Sequence, residues 1–201
     1  FISTKIAFIN TIMEMCFKLP NTNIDDVTNG LLLGSKRLIS GAYLRGGMGD
    51  GGGCHPRDNI ALSWLARKLD ISNDFFDQIM KQREKQTEWL VNLMLENSIN
   101  NDNFYILGKS FKPETNITTG SPSILLDNLL KEKGINATVY DPYVDEKKPN
   151  FKKGVYFIGT QHDVFEQFEF PKGSVVIDPF RMINKNQEDL KVIRIGDSNE
   201  H

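Results

Sequence analysis

The residues best equipped for chemistry gather in one stretch, "GDGGGCHPRDN" at 49–59. Four glycines there stand ahead of Cys54, and Asp58 follows it by four positions. A buried structural cysteine has no use for so many glycines, and a flexible linker has no use for a Cys, a His and an Asp at fixed spacing. The stretch reads as a nucleophile set in open backbone. Gly51, Gly52 and Gly53 let a ligand approach the main chain and leave N–H groups to meet an oxyanion or a phosphate. Cys54 stands just ahead of a predicted helix start, where the helix dipole favours thiolate. Asp58 lies about one helical turn further on. A carboxylate beside sulfur raises the thiol pKa, so Asp58 is suited to handling a water rather than to activating Cys54.

Two further groups stand where predicted strands end. "LGKSFKPETN" follows a strand with Lys109 and Lys112, and "VVIDPFRMI" places Arg181 beyond another. Ligands of an open α/β sheet bind beyond the carboxyl ends of its strands, so Lys112 and Arg181 on one rim make a candidate anion site. Asp141 closes "ATVYD" where a dinucleotide fold keeps its ribose ligand, but no GxGxxG accompanies it and it reads as a loop residue. The three histidines, 55, 162 and 201, offer no second ligand pair at zinc spacing, so no metal is expected. A papain-like cysteine hydrolase remains an alternative, with His162 as its internal base.

These groups must be positioned by two kinds of element. Residues 1–100 read as helical. Ile2, Ile6, Ile9, Met13 and Phe17 form an apolar stripe ending near Leu19-Pro20. Asn23 caps a second helix that stops at Gly34. Pro56 opens a third, with a stripe of Ile60, Leu62, Trp64, Leu65 and Leu69. Asn73 or Asp74 opens a fourth, running to about Asn97, with Phe76, Ile79, Met80, Trp89, Leu90, Leu93 and Met94 at buried spacing. Beyond "NSINNDN" the pattern changes to short apolar runs at 104–108, 137–141, 155–159, 174–178 and 191–195. Helices fit between them at 121–133 and 163–168. Such alternation predicts a parallel sheet. The fold expected is therefore an α-helical dimerisation domain at 1–100, carrying the Cys loop, followed by an α/β Rossmann-like domain at 101–201.

The bulk composition is that of an ordinary globular chain: 201 residues, 39% hydrophobic, 25% charged. A net charge of −2 gives no reason to expect nucleic acid as a partner. No apolar run reaches the roughly 20 residues of a membrane span. The N-terminus has no signal-peptide pattern, and two cysteines are too few for a disulfide framework, which points to a reducing, cytoplasmic setting.

"KIAFIN", "GGGCHPRD", "LGKSFKPET" and "VVIDPFRMI", in this order, resemble the nucleotide-sugar 6-dehydrogenases of the UDP-glucose and GDP-mannose type. The resemblance runs along essentially the whole chain. It implies a central helical domain that forms a homodimer and a C-terminal Rossmann-like domain that binds a UDP-hexose. An N-terminal NAD domain is expected upstream of Phe1. The implied reaction oxidises a primary alcohol to a carboxylate with two molecules of NAD, through a thiohemiacetal and a thioester on the cysteine. On this sequence Cys54 becomes the nucleophile and Asp58 the carboxylate that assists the water. Tyr43 lies by the nucleotide, Gly51 to Gly53 line the substrate, Lys112 and Arg181 bind it, and Arg57 reaches toward the cofactor. Gly53, His55 and Thr119 depart from the residues usual at their positions, and the basic Arg57 leans toward UDP-glucose or GDP-mannose types. A non-catalytic nucleotide-sugar-binding module is the other class of reading.

Overall fold

The computed structural model describes residues 1–34, 44–49, 51–70, 74–98, 103–187 and 189–198. Four helices come first: α1 (Ile2–Lys18), α2 (Ile24–Leu33), α3 (Cys54–Lys68) and α4 (Phe75–Glu96). Five strands follow: β1 (Asn103–Leu107), β2 (Thr138–Tyr140), β3 (Gly154–Ile158), β4 (Val175–Asp178) and β5 (Lys191–Arg194). A fifth helix, α5 (Pro122–Glu132), lies between β1 and β2. The strands pair in parallel in the order β2-β1-β3-β4-β5.

Local chemistry explains the element ends. The Asn23 side chain accepts the Asp25 N–H at 2.8 Å, and Gly34 closes α2. Asp74 caps α4 by accepting the Asp77 N–H, while Asn73 lies outside the described residues. Ser121 caps α5 with Pro122 behind it, the position where a missing N–H costs nothing. The predicted helix at 163–168 shrinks to a single 3₁₀ turn at Asp163–Phe165.

The core does not stop at residue 100. Ile9 and Met13 of α1, Leu90 and Met94 of α4, and Leu126 and Leu130 of α5 join Ile106, Phe157 and Ile177 of the sheet in one buried cluster. The structure therefore does not show a separate helical domain: α1 and α4 cover one face of the sheet together with α5. The other face is covered by connecting segments rich in aromatic rings, among them Phe151, Phe168 and Phe170.

The third helix buries none of its large apolar side chains. Its apolar stripe faces outward, with Ile60, Leu62, Trp64, Leu65 and Leu69 all exposed, Trp64 by 57%. The side turned inward carries Asn59, Ser63 and Ala66. Asn59 Nδ2 donates to Ser3 Oγ at 3.0 Å, and Ser63 Oγ donates to Asp74 Oδ2 at 2.6 Å. Polar contacts to α1 and to the α4 cap thus fix the orientation of α3. Among the described residues no helix is long and apolar enough to cross a membrane.

Candidate functional site

Cys54 is the first residue of α3, with Gly53 as a cap that supplies no side-chain hydrogen bond. The thiol is exposed and unpaired, whereas Cys16 is buried in the core and also unpaired. A sulfur at this position sits at the positive end of the helix dipole. It opens onto a cavity of about 560 Å³ between the glycine loop and the segment after β1, with Arg45, Met48, Phe111, Lys112, Ile117 and Thr119 on its walls. Both halves of the chain build this cavity.

The glycines do something the sequence alone does not reveal: they admit protein. A Cβ on Gly51 would lie 2.8 Å from the Phe111 carbonyl oxygen. Gly52 holds φ +87°, in the left-handed region, beside the Phe111 ring. Gly120, at φ +72°, comes so close that its own Cβ would fall 2.4 Å from Gly52 O. The loop after β1 is thus pressed against the backbone that carries Cys54. Only Gly53 keeps ordinary room, with Thr119 Cγ2 3.7 Å from a Cβ there.

Asp58 and Arg57 pair with each other. Arg57 Nε donates to Asp58 Oδ1 at 2.9 Å on the exposed side of α3. The Asp58 contact, and behind it the Cys54 sulfur, raise the Arg57 pKa above its usual value. Asp58 opens onto a neighbouring groove with Asn59 and Phe75, and His55 borders both spaces. Lys112 extends over the Phe111 ring at 5.4 Å and lines the Cys54 cavity. Tyr43 lies outside the described residues.

Arg181 is placed differently from its expected partner on the rim. Its guanidinium is 4% exposed and forks onto the Asp25 carboxylate through Nε at 2.9 Å and Nη2 at 3.1 Å. Nη2 also donates to Gly46 O at 2.9 Å, and Nη1 to Ile195 O at 3.1 Å. The residue ties α2 and the 44–49 segment to the β4–β5 edge of the sheet. It borders a second cleft of about 260 Å³, with Thr28, Gln161 and Phe180, rather than the Cys54 cavity. Arg45, which the sequence reading passed over, lines both spaces. Its signal was a cation directly before a glycine pair.

Two residues read as minor prove central to the segment after β1. Asp141 is fully buried; its Oδ2 accepts the N–H groups of Lys109 and Ser110, both at 2.8 Å, and its Oδ1 accepts that of Tyr143 at 2.9 Å. Burial pushes this carboxyl up, but the His162 hydrogen bond and those N–H donors outweigh it and hold the pKa well below the carboxylate range. His162 is buried with it and does not line the Cys54 cavity, so it does not stand at the thiol as the base of a papain-like hydrolase.

Residues 1–85 match the UDP-glucose/GDP-mannose dehydrogenase family, central domain, and residues 105–185 match the UDP-glucose/GDP-mannose dehydrogenase family, UDP binding domain. The chain is 31% identical over 144 residues to UDP-glucose 6-dehydrogenase TuaD of Bacillus subtilis, covering 71% of this chain and 31% of that protein. It is 27% identical over 218 residues to UDP-glucose 6-dehydrogenase of Rickettsia conorii, covering 96% and 50%. It therefore spans half or less of the length of these curated relatives. Among solved structures, a UDP-glucose dehydrogenase from Pyrobaculum islandicum superposes with a TM-score of 0.80 at 21% identity, covering 97% of this chain and 48% of that one. A UDP-D-ManNAc dehydrogenase from Pyrococcus horikoshii superposes with a TM-score of 0.76 at 18% identity, covering 98% and 49%. At these identities the likeness establishes the fold.

Proposed function

Because the chain belongs to the UDP-glucose/GDP-mannose dehydrogenase family, we propose that it supplies the nucleophile and the nucleotide-sugar side of an NAD-dependent oxidation of a UDP-hexose, UDP-glucose by preference, to its uronate. The observation that carries this reading is the exposed Cys54 thiol at the start of α3, facing a cavity that also holds Arg45 and Lys112. Two cations suit a diphosphate, and the apolar Met48, Phe111 and Ile117 suit the flat faces of a base and a sugar.

In this reading Cys54 adds as thiolate to the aldehyde carbon, the thiohemiacetal gives up a hydride to become the thioester, and a water then releases the carboxylate and frees the thiol. Asp58 handles that water, with Arg57 fixing where its carboxylate lies. Arg181 supports the site from behind by holding Gly46 next to Arg45. NAD is the hydride acceptor, but among the described residues the β1 end of the sheet offers no cradle for its diphosphate. The N–H groups after β1 are taken by Asp141, and Gly108 presses on Thr160 so closely that a Cβ would lie 2.5 Å away. A second copy of the chain completes the assembly, docking on the outward apolar stripe of α3.

Thiol alkylation tests the proposal. One thiol per folded chain should react quickly, and UDP-glucose should slow it with a midpoint between about 10 μM and 1 mM, or about −4 to −7 kcal/mol. In the NAD-dependent assay of the whole protein, Cys54→Ser should lower uronate formation by about a hundredfold or more. If Cys54 reacts no faster than a small-molecule thiol and the ligand gives no protection, the enzymatic reading loses its main support.

A further inference from the structure

The order β2-β1-β3-β4-β5 puts the topological switch point of the sheet between the carboxyl ends of β1 and β3, where open α/β sheets bind their ligands. Here the chain's own groups fill it. We infer that His162, tied through Ser110 and Glu114 to both ends of the Lys112 turn, is a positioning residue that sets the shape of the Cys54 cavity.

The proton accounting leaves one arrangement. His162 Nδ1 accepts the Glu114 N–H at 3.1 Å, so the ring proton sits on Nε2. Nε2 lies 3.0 Å from Ser110 Oγ and 3.1 Å from Asp141 Oδ2. Ser110 Oγ spends its own proton on Lys112 O at 3.2 Å, so toward the ring it accepts. A second ring proton would set an N–H against the Glu114 N–H. The Tyr143 ring stacks on the imidazole at 4.5 Å and Phe165 meets its edge at 5.5 Å, which together hold the plane of the ring.

The imidazole therefore grips the base of the turn at Ser110 and its tip at Glu114, and Phe111 and Lys112 lie between. Glu114 holds φ 55°, a left-handed conformation that a non-glycine residue keeps only when its surroundings enforce it. The turn passes its shape directly to the nucleophile's backbone, since Phe111 O leaves no room for a Cβ on Gly51 and Gly52 O leaves none for a Cβ on Gly120. Asp145 extends the same network: its Oδ2 accepts the Asp141 N–H at 2.9 Å, and its Oδ1 pairs with Lys109 Nζ at 2.6 Å.

His162→Phe keeps the ring contacts and removes the hydrogen bonds to Glu114, Ser110 and Asp141, and His162→Asn restores an acceptor for Glu114. His162→Phe should speed iodoacetamide alkylation of Cys54 at least threefold and raise the UDP concentration that protects it at least tenfold, with amides 111–119 exchanging faster. His162→Asn should recover at least half of each change. Ile183→Val, a buried change on the same face outside the turn, should leave all three readouts unaltered. Unchanged alkylation and exchange in folded His162→Phe overturns the inference, as does an equal effect of Ile183→Val. Should His162→Phe fail to fold, Ser110→Ala decides by the same criteria. The UDP arm alone rests on the nucleotide-sugar reading. If UDP never protects the unsubstituted chain, that reading fails, while alkylation and exchange still decide the role of His162.

Discussion

Asp141 follows β2 and Asp178 ends β4 of the same sheet; both are fully buried and each accepts three backbone N–H groups, yet their pKa values are shifted in opposite directions. Asp141 has the His162 Nε2–H as well, and its pKa is held down. For Asp178 burial outweighs the donors, and its pKa is raised. The consequences for stability differ in sign. A depressed pKa contributes stability that is present above the ordinary carboxylate range and is lost as pH falls through the folded value; a raised one contributes stability that is lost as pH rises through the folded value. Asp141→Asn should therefore cost about 2–4 kcal/mol near neutrality, because an amide sets its own N–H groups against donors. In urea unfolding, the gap between this variant and the unsubstituted chain should stay level from about pH 5 to 8 and narrow below about pH 4. A gap that widens with acid would contradict the assignment.

At the scale of elements, the glycine loop and the turn after β1 behave as one unit, and two alanine substitutions separate structural from ligand roles. Gly120→Ala forces a left-handed φ on a residue with a Cβ and drives that Cβ into the Gly52 carbonyl. It should cost about 2 kcal/mol or more and change the alkylation rate of Cys54. Gly53→Ala adds a methyl at ordinary contact distance and should cost less than about 1 kcal/mol. Thermal melts of the two variants side by side check this. Equal losses would mean that the close approach at Gly120 relaxes freely.

For the whole molecule, the feature left over is the outward face of α3. Leu90, Val91 and Met94 of α4 are buried in the core cluster beneath the sheet. Ile60, Leu62, Trp64 and Leu65 of α3 and Leu69 just beyond it are exposed, and Phe75, also exposed, borders the same groove as Leu62. A face of this kind is more usual in an interface than on a free surface. The double substitution Leu62→Glu with Trp64→Glu should convert a dimer to a monomer at micromolar concentration without loss of helix content. Sedimentation velocity checks it; an unsubstituted chain that sediments as a monomer, or a double variant that stays dimeric, would rule out this face.

Much of the architecture was readable from residue order. The caps at Asn23, Asp74 and Ser121, the five strand runs, and the placing of Cys54 at a helix start follow from side-chain hydrogen bonding and from periodicity, which act within a few residues. The tertiary structure decided what depends on distant partners. Periodicity shows that α3 has an apolar face but not which way it points; Ser3 and Asp74 settle that by bonding the opposite face. Glycines announce a close approach, not what approaches, and here it is Phe111 and Gly120. Arg181 reads as a rim cation until Asp25, 156 positions earlier, takes its guanidinium. Asp141 reads as a loop residue and His162 as the internal base of a hydrolase, because what they do depends on which backbone N–H groups they meet, and only the folded chain brings those groups together.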